Sequence, residues 1–117
     1  MEEIKMKKNE KLPINKIICG DCLEVLKTFS ENSIDTIITS PPYWGLRDYG
    51  EETKVKWQDG WFGQLGLEPT LDFYLEHLLQ IMRELKRVLK KSGVMFINFG
   101  TSYSNGKAKI VIKEWYD

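Results

Sequence analysis

Apolar residues along this 117-residue chain fall into short runs and one long stripe. Lys16 to Cys19, KIIC, is a short apolar run that predicts a first strand. Asp21 then stands where it caps a following helix, with Leu23, Leu26 and Phe29 turned inward. SENS, Ser30 to Ser33, reads as a turn. Ile34 to Thr39, IDTIIT, predicts a second strand, rich in β-branched residues and apolar enough for a parallel sheet covered on both faces. From Ser40 to Pro69 the periodicity is lost. This long loop holds five of the nine glycines and three of the four tryptophans, and loops of such length are uncommon and often functional. Thr70 is placed to cap the next helix. Leu71, Leu75, Leu78, Met82, Leu85 and Leu89 alternate spacings of four and three, which makes one helical stripe. The single histidine, His77, lies beside that stripe and reads as a surface or boundary residue. Lys90 and Lys91 complement the helix C-terminus, and Gly93 is placed to close it. Val94 to Phe99, VMFINF, predicts a third strand, and Ile110 to Trp115 a fourth.

The order is strand, helix, strand, long loop, helix, strand. Alternation of this kind implies parallel pairing with right-handed crossovers. The expected fold class is α/β, with residues 1–15 a polar lead-in and residues 16–117 one domain. In such sheets ligands bind beyond the carboxyl ends of the strands. Three places meet that rule: Gly20-Asp21, Ser40 to Tyr43, and Gly100 to Ser102.

Composition narrows the partners little. Lys and Arg total 17, and so do Asp and Glu, so net charge gives no evidence for a polyanionic partner. Residues 1–16 carry five lysines against three glutamates, and Arg83 to Lys91 carries five basic residues against Glu84; both read as solvated faces. A run of about 18 apolar residues is absent, so no membrane span is expected. The N-terminus has no apolar core of a signal peptide, and a cytoplasmic chain with reduced thiols is expected. Cys19 and Cys22 form a CxxC pair. Zinc would need two further ligands, and His77 is the soft donor left. A helix start at Cys22 lowers a thiol pKa and so permits a redox role. Two small packed thiols are the plainer reading, and no metal is expected.

The most unusual stretch is TSPPYW, Thr39 to Trp44. Two prolines after a strand remove two backbone donors and stiffen the turn. A flat nitrogen base laid on Tyr43 gains stacking of about 1–3 kcal/mol. The Ser40 hydroxyl and the Pro41 carbonyl are acceptors for the two N–H groups of an exocyclic amine. Held there, the nitrogen is favoured toward a tetrahedral form, and its lone pair can point at an electrophilic carbon. Such catalysis works by positioning and electrostatics. A base inside a duplex is out of reach, so the target must flip out.

IDTIITSPPYWGLRDYG closely resembles the catalytic motif region of the S-adenosylmethionine-dependent amino DNA methyltransferases, which act at N4 of cytosine or N6 of adenine. GDCLEVLKTFSENSID upstream, QLGLEPT before the long helix and RELKRVLKKSGVMFINFG after it fit the same family, over about residues 16–104. The resemblance implies a partial Rossmann-like, three-layer fold with a mostly parallel sheet, S-adenosylmethionine as cofactor and DNA as substrate. It implies that Ser40 and the Pro41 carbonyl hold the target amine, that Pro42 shapes the loop and that Tyr43 stacks on the base. Asp21, with Cys22 beside it, is implied as a contact to the adenine amino group of the cofactor. A serine at the head of the tetrapeptide leans toward N4-cytosine. Trp44, Arg47 and Tyr49 follow the turn as candidates for contact with the flipped base or a phosphate, with packing of the loop as the alternative. Trp57, Trp61 and Phe62 read as packing for the same loop.

Two departures from the family stand out. It commonly has an aspartate where this chain has Thr101. Its permuted class also carries a glycine-rich FxGxG loop near the C-terminus, which is not found here; Gly60 to Gly63 does not fit it. The chain therefore resembles the N-terminal, catalytic-motif half of a methyltransferase. Its expected partner is a second polypeptide or a C-terminal half bearing the glycine-rich loop and the target-recognition region. The alternatives are an inert remnant, one half of a split enzyme, or a DNA-binding or oligomerising module.

Overall fold

Asp21 opens the first helix, α1 (Cys22–Leu26), by accepting a hydrogen bond from the Glu24 amide on its side chain at 3.3 Å, as its position after the glycine suggested. A computed structural model describes residues 12–45 and 47–99, and the backbone alone of 102–104 and 107–109. The chain divides into two compact units, Met1–Ile38 with Ile81–Phe96, and Thr39–Gln80 with Ile97–Asp117.

In the first unit α1 lasts little more than a turn. Thr28 and Phe29 already bond three residues back, to the Val25 and Leu26 carbonyls. Asn32 turns the chain with φ 55°, a left-handed conformation that asparagine tolerates better than most residues. The Asn32 and Ser33 amides donate to the Arg87 and Val88 carbonyls at 2.9 and 2.7 Å. The Arg87 side chain spreads its fork over three acceptors: Glu84 Oε2, the Phe29 carbonyl and the Leu26 carbonyl. One guanidinium thus satisfies carbonyls at the end of α1, where helix acceptors lack partners.

β1 (Ile34–Thr39) pairs with β4 (Leu89–Ile97). Ser33 bonds Val88 at one end and Asn98 bonds Thr39 at the other, so both strands run the same way and the pair is parallel. Gly93 lies inside β4, and a Cβ there would stand 2.6 Å from Leu89 Cδ1 and 2.9 Å from the Asp35 carbonyl oxygen. Lys90 reaches across to Asp35 at 2.8 Å.

Several expectations are corrected here. The long helix ends at Val88, so Lys90, Lys91 and Gly93 belong to a strand and do not close the helix. Lys90 is drawn into the sheet by Asp35, and glycine at 93 allows close approach of β1. Residues 16–19 form no strand, and Ile17 is 88% exposed; an extended segment becomes a strand only when another edge bonds it. β1 is not covered on both faces, since Ile38 is 80% exposed. Among the described residues one parallel pair within a mixed α/β arrangement is observed. The predicted fourth strand over Ile110 to Trp115, and Thr101, lie outside the described residues.

In the second unit the long loop has structure of its own: a short 3-10 turn (Glu51–Thr53) and a hairpin of β2 (Val55–Lys56) with β3 (Phe62–Gly63), antiparallel, with Val55 opposite Gly63. Gly60 closes the hairpin with φ 92°. A second antiparallel hairpin joins β5 (Ser102–Ser104) to β6 (Lys107–Lys109). The helix α2 (Leu71–Val88) is capped by the Thr70 hydroxyl, which accepts from the Phe73 amide at 3.2 Å. Tyr74, Leu75 and Leu78 form this unit's core, packed by Trp44, Leu65, Leu71 and Phe99. Among the described residues no helix is long and apolar enough to cross a membrane.

Arg87→Lys should cost about 1–3 kcal/mol in urea unfolding, because an ammonium cannot reproduce three forked contacts. Gly93→Ala should cost about 1–3 kcal/mol in the same assay, since its methyl must displace backbone.

Candidate active site

Thr39 ends β1 with its carbonyl still accepting from the Asn98 amide at 2.9 Å, so the Ser40–Tyr43 turn departs from paired backbone. Pro41 and Pro42 have no amide hydrogen to anchor the turn from within. It is held instead from behind. The Tyr74 hydroxyl on α2 donates to the Pro42 carbonyl. Burial above all, then Glu68 and Tyr43, push the Tyr74 phenol well above its ordinary pKa, so it keeps the proton it donates. The Gly45 amide donates to the Gly66 carbonyl at 2.6 Å. The Trp44 indole N–H donates to the Glu68 carbonyl at 2.9 Å. Gly66 adopts φ 103°, and a Cβ on it would come to 3.0 Å from the Tyr43 carbonyl oxygen and 3.4 Å from Pro42 Cβ. Glycine is required there both for its conformation and for the close approach of two chains.

Ser40, Pro41, Pro42, Tyr43, Arg47 and Tyr49 line a hollow of about 240 Å³. Among the described residues neither the Ser40 hydroxyl nor the Pro41 carbonyl makes a hydrogen bond, which leaves both acceptors open to a ligand. The Tyr43 ring runs nearly parallel to that of Phe99, tilted by 13° with centroids 6.2 Å apart. Gln64, almost fully buried, holds the backbone of the two later lining residues: its Oε1 accepts from the Tyr49 amide at 2.7 Å and its Nε2 donates to the Arg47 carbonyl at 2.9 Å.

Behind the turn lies a charged cluster. His77 on α2 is fully buried, not at the surface as its sequence position suggested. Its Nδ1 is 2.6 Å from Glu68 Oε2 and its Nε2 is 2.6 Å from Asp59 Oδ2. The other Glu68 oxygen accepts from the Gly66 amide at 2.7 Å. Trp57 and Trp61 stack on the imidazole, tilted by 18° and 21° with centroids at 4.1 and 5.4 Å, and Phe73 packs at 4.4 Å. The hairpin brings in Asp59 and both tryptophans. Burial alone would raise the Asp59 carboxyl, but the Trp61 amide, the His77 hydrogen bond and the His77 charge outweigh it and hold its pKa below the ordinary value.

The residues singled out from the sequence divide between the units. Ser40, Pro41, Pro42, Tyr43, Arg47 and Tyr49 meet around the hollow. Trp44 is half-buried, with its N–H engaged by Glu68 and its ring against the core. Asp21 and Cys22 lie in the other unit, at the start of α1. Cys22 has an exposed surface, yet burial of its sulfur and then the Asp21 charge raise the thiol pKa rather than lower it. Tyr74, Gln64, Glu68 and Asp59 had not been singled out. The available signal was a pair of polar residues, Tyr74 and His77, three apart on the flank of an apolar stripe, facing an acidic residue in the segment just before the helix.

Comparison with known proteins agrees with this geometry. Residues 34–117 match a family described as DNA methylase, of the N6/N4 type. The chain is 38% identical over 91 residues to the Type II methyltransferase M.SmaI of Serratia marcescens, covering 78% of this chain and 28% of that protein. It is 42% identical over 87 residues to the Type II methyltransferase M.XycI of Xanthomonas campestris pv. cyanopsidis, covering 74% and 26%. It is 38% identical over 104 residues to the Type II methyltransferase M.Cfr9I of Citrobacter freundii, covering 87% and 31%. The chain thus spans between a quarter and a third of the length of these relatives. No solved structure matches it at a significant level. The proline turn at the end of β1 and a family match that runs from Ile34 onward lead to one assignment: the chain belongs to the amino DNA methylases.

Proposed function

We propose that this chain is the catalytic-motif part of a site-specific DNA methyltransferase, one that methylates the exocyclic amine of a flipped cytosine (N4) or adenine (N6). The observation that carries this reading is the hollow beside Ser40 to Tyr43, where two open oxygen acceptors and a phenol ring share one cavity. The Ser40 hydroxyl and the Pro41 carbonyl accept the two amine hydrogens. Accepting both draws the nitrogen lone pair out of conjugation and toward the incoming carbon. Pro42, tied to Tyr74, fixes the bend. Tyr43 offers its face to the base, and Arg47, exposed on the rim, offers a cation to the DNA backbone. Positioning and preorganised polar groups do the chemistry.

S-adenosylmethionine, when bound, supplies the electrophilic methyl group. Asp21 fits it by chemistry: one carboxylate oxygen caps α1, and the second is an acceptor suited to an adenine amino group. Cys22 adjoins that position. The fold proposed for the whole enzyme is Rossmann-like, and the setting is cytoplasmic. Ile17, Ile38, Val94 and Phe96 of the first unit are each more than half exposed. Apolar exposure on this scale is covered in a working enzyme, which supports a further polypeptide, continuous or separate, bearing the glycine-rich loop and the target-recognition region.

With that polypeptide present, Ser40→Ala should lower kcat for methyl incorporation into DNA by about a hundredfold, the scale of one preorganised polar contact in a transition state. Tyr43→Ala should weaken DNA binding by about tenfold in gel shifts, through lost stacking. Equal rates for Ser40→Ala and the unsubstituted protein would refute the role of Ser40. Arg47→Ala should weaken DNA binding across sequences and make the slope of log affinity against log salt shallower by about one.

A further inference from the structure

Both ring nitrogens of His77 face a carboxylate oxygen at 2.6 Å. Each contact of that length needs a proton between its two atoms. A neutral imidazole has one N–H, so two contacts require two protons shared over Glu68, His77 and Asp59, and the set carries one net negative charge. Trp57 and Trp61 lie against the imidazole faces, so the ring is packed on its faces as well as held at both nitrogens. Glu68 is thereby locked at its far oxygen. Its near oxygen holds the Gly66 amide at 2.7 Å, and its backbone carbonyl holds the Trp44 indole. Gly66 in turn accepts from the Gly45 amide through its carbonyl, and it passes so near the turn that a Cβ on it would come to 3.0 Å from the Tyr43 carbonyl oxygen. One buried carboxylate is therefore two contacts away from the C-terminal end of the proline turn.

We propose that Glu68, His77 and Asp59 form a charge-locked latch that positions the base-holding turn, with His77 as a positioning residue that touches no substrate. The latch rests on the reading of Ser40 to Tyr43 as that turn. A histidine in this place does what an apolar residue cannot: it bridges the hairpin, through Asp59, to the segment behind the turn, through Glu68. The hairpin and the turn are thereby fixed in one register, and Arg47 and Tyr49, which lie between them in the chain, are confined to the rim of the hollow.

The test is hydrogen exchange by NMR on the 117-residue chain, with two reporters, the Gly45 amide and the Trp44 indole N–H, and two controls, the Asn32 and Ser33 amides of the other unit. His77→Gln reaches one carboxylate instead of two and should speed both reporters by at least about tenfold, with the controls unchanged. Should that variant fail to fold, all four signals speed together, and Asp59→Ala decides. Asp59 is 31% exposed and leaves the buried Glu68 paired, so the fold survives and the reporters alone should speed, by about threefold or more. Reporters unchanged in the folded variant, or controls speeding as much as reporters in Asp59→Ala, overturn the latch. In the complete enzyme Asp59→Ala should lower kcat by about tenfold with KM for S-adenosylmethionine unchanged; a KM rise at constant kcat would also overturn it. If the complete unsubstituted enzyme transfers no methyl group while the reporters respond as stated, the functional reading fails and the latch stands.

Discussion

The close approach of Gly66 to the proline turn is the contact on which the rest of the site depends. Two consecutive prolines give a stiff bend, but they leave it without amide donors. The bend must then be anchored through acceptors and by packing from behind. The Tyr74 hydroxyl supplies the first anchor and the Gly45–Gly66 hydrogen bond the second. With any side chain at 66, the two segments of backbone would stand farther apart, and the turn would lose its close support at Pro42 and Tyr43. Glycine here serves the neighbouring segment more than its own.

The elements best read from sequence were those set by local chemistry. Asp21 and Thr70 cap their helices because side-chain oxygen beside free amides is favourable wherever it occurs. The leucine stripe from Leu71 to Leu85 is buried or half-buried because its spacing leaves no other face for a core. IDTIIT is a strand and the turn follows it. The elements that failed depended on distant partners. KIIC lacks a bonded edge and stays irregular. VMFINF, expected over Val94 to Phe99, begins earlier, at Leu89, where the strand pairs with β1 and Lys90 meets Asp35, 55 positions away along the chain. No local propensity carries that information.

The site shows the same division. The tetrapeptide was visible because prolines, a hydroxyl and a ring in adjacent positions have few other uses. Its supports were not, because each lies in another segment and resembles something ordinary. Gln64 looks like loop polarity, Glu68 like a solvated acid before a helix, and His77 like a boundary residue. Each becomes unusual only when burial is known: Gln64 is 5%, Glu68 4% and His77 0% exposed. Aromatic excess in the loop was the nearest hint. Trp57 and Trp61 are used to wall the imidazole from water, which strengthens its hydrogen bonds.

Stability alone is a poor reason to bury such a cluster. Well-packed apolar residues of similar volume often match or exceed a buried ion pair in stability. What an apolar trio would not provide is direction. Hydrophobic contacts tolerate sliding of one surface over another, whereas two short hydrogen bonds on opposite sides of one ring define distance and angle together. On the proposed reading the turn needs that definition, since displacement of a reacting group by about 1 Å can cost on the order of a hundredfold in rate. The chain thus spends charged groups where geometry matters, at the back of the turn. The other unit instead presents exposed apolar side chains such as Ile38 and Phe96, whose contacts carry no such directional demand.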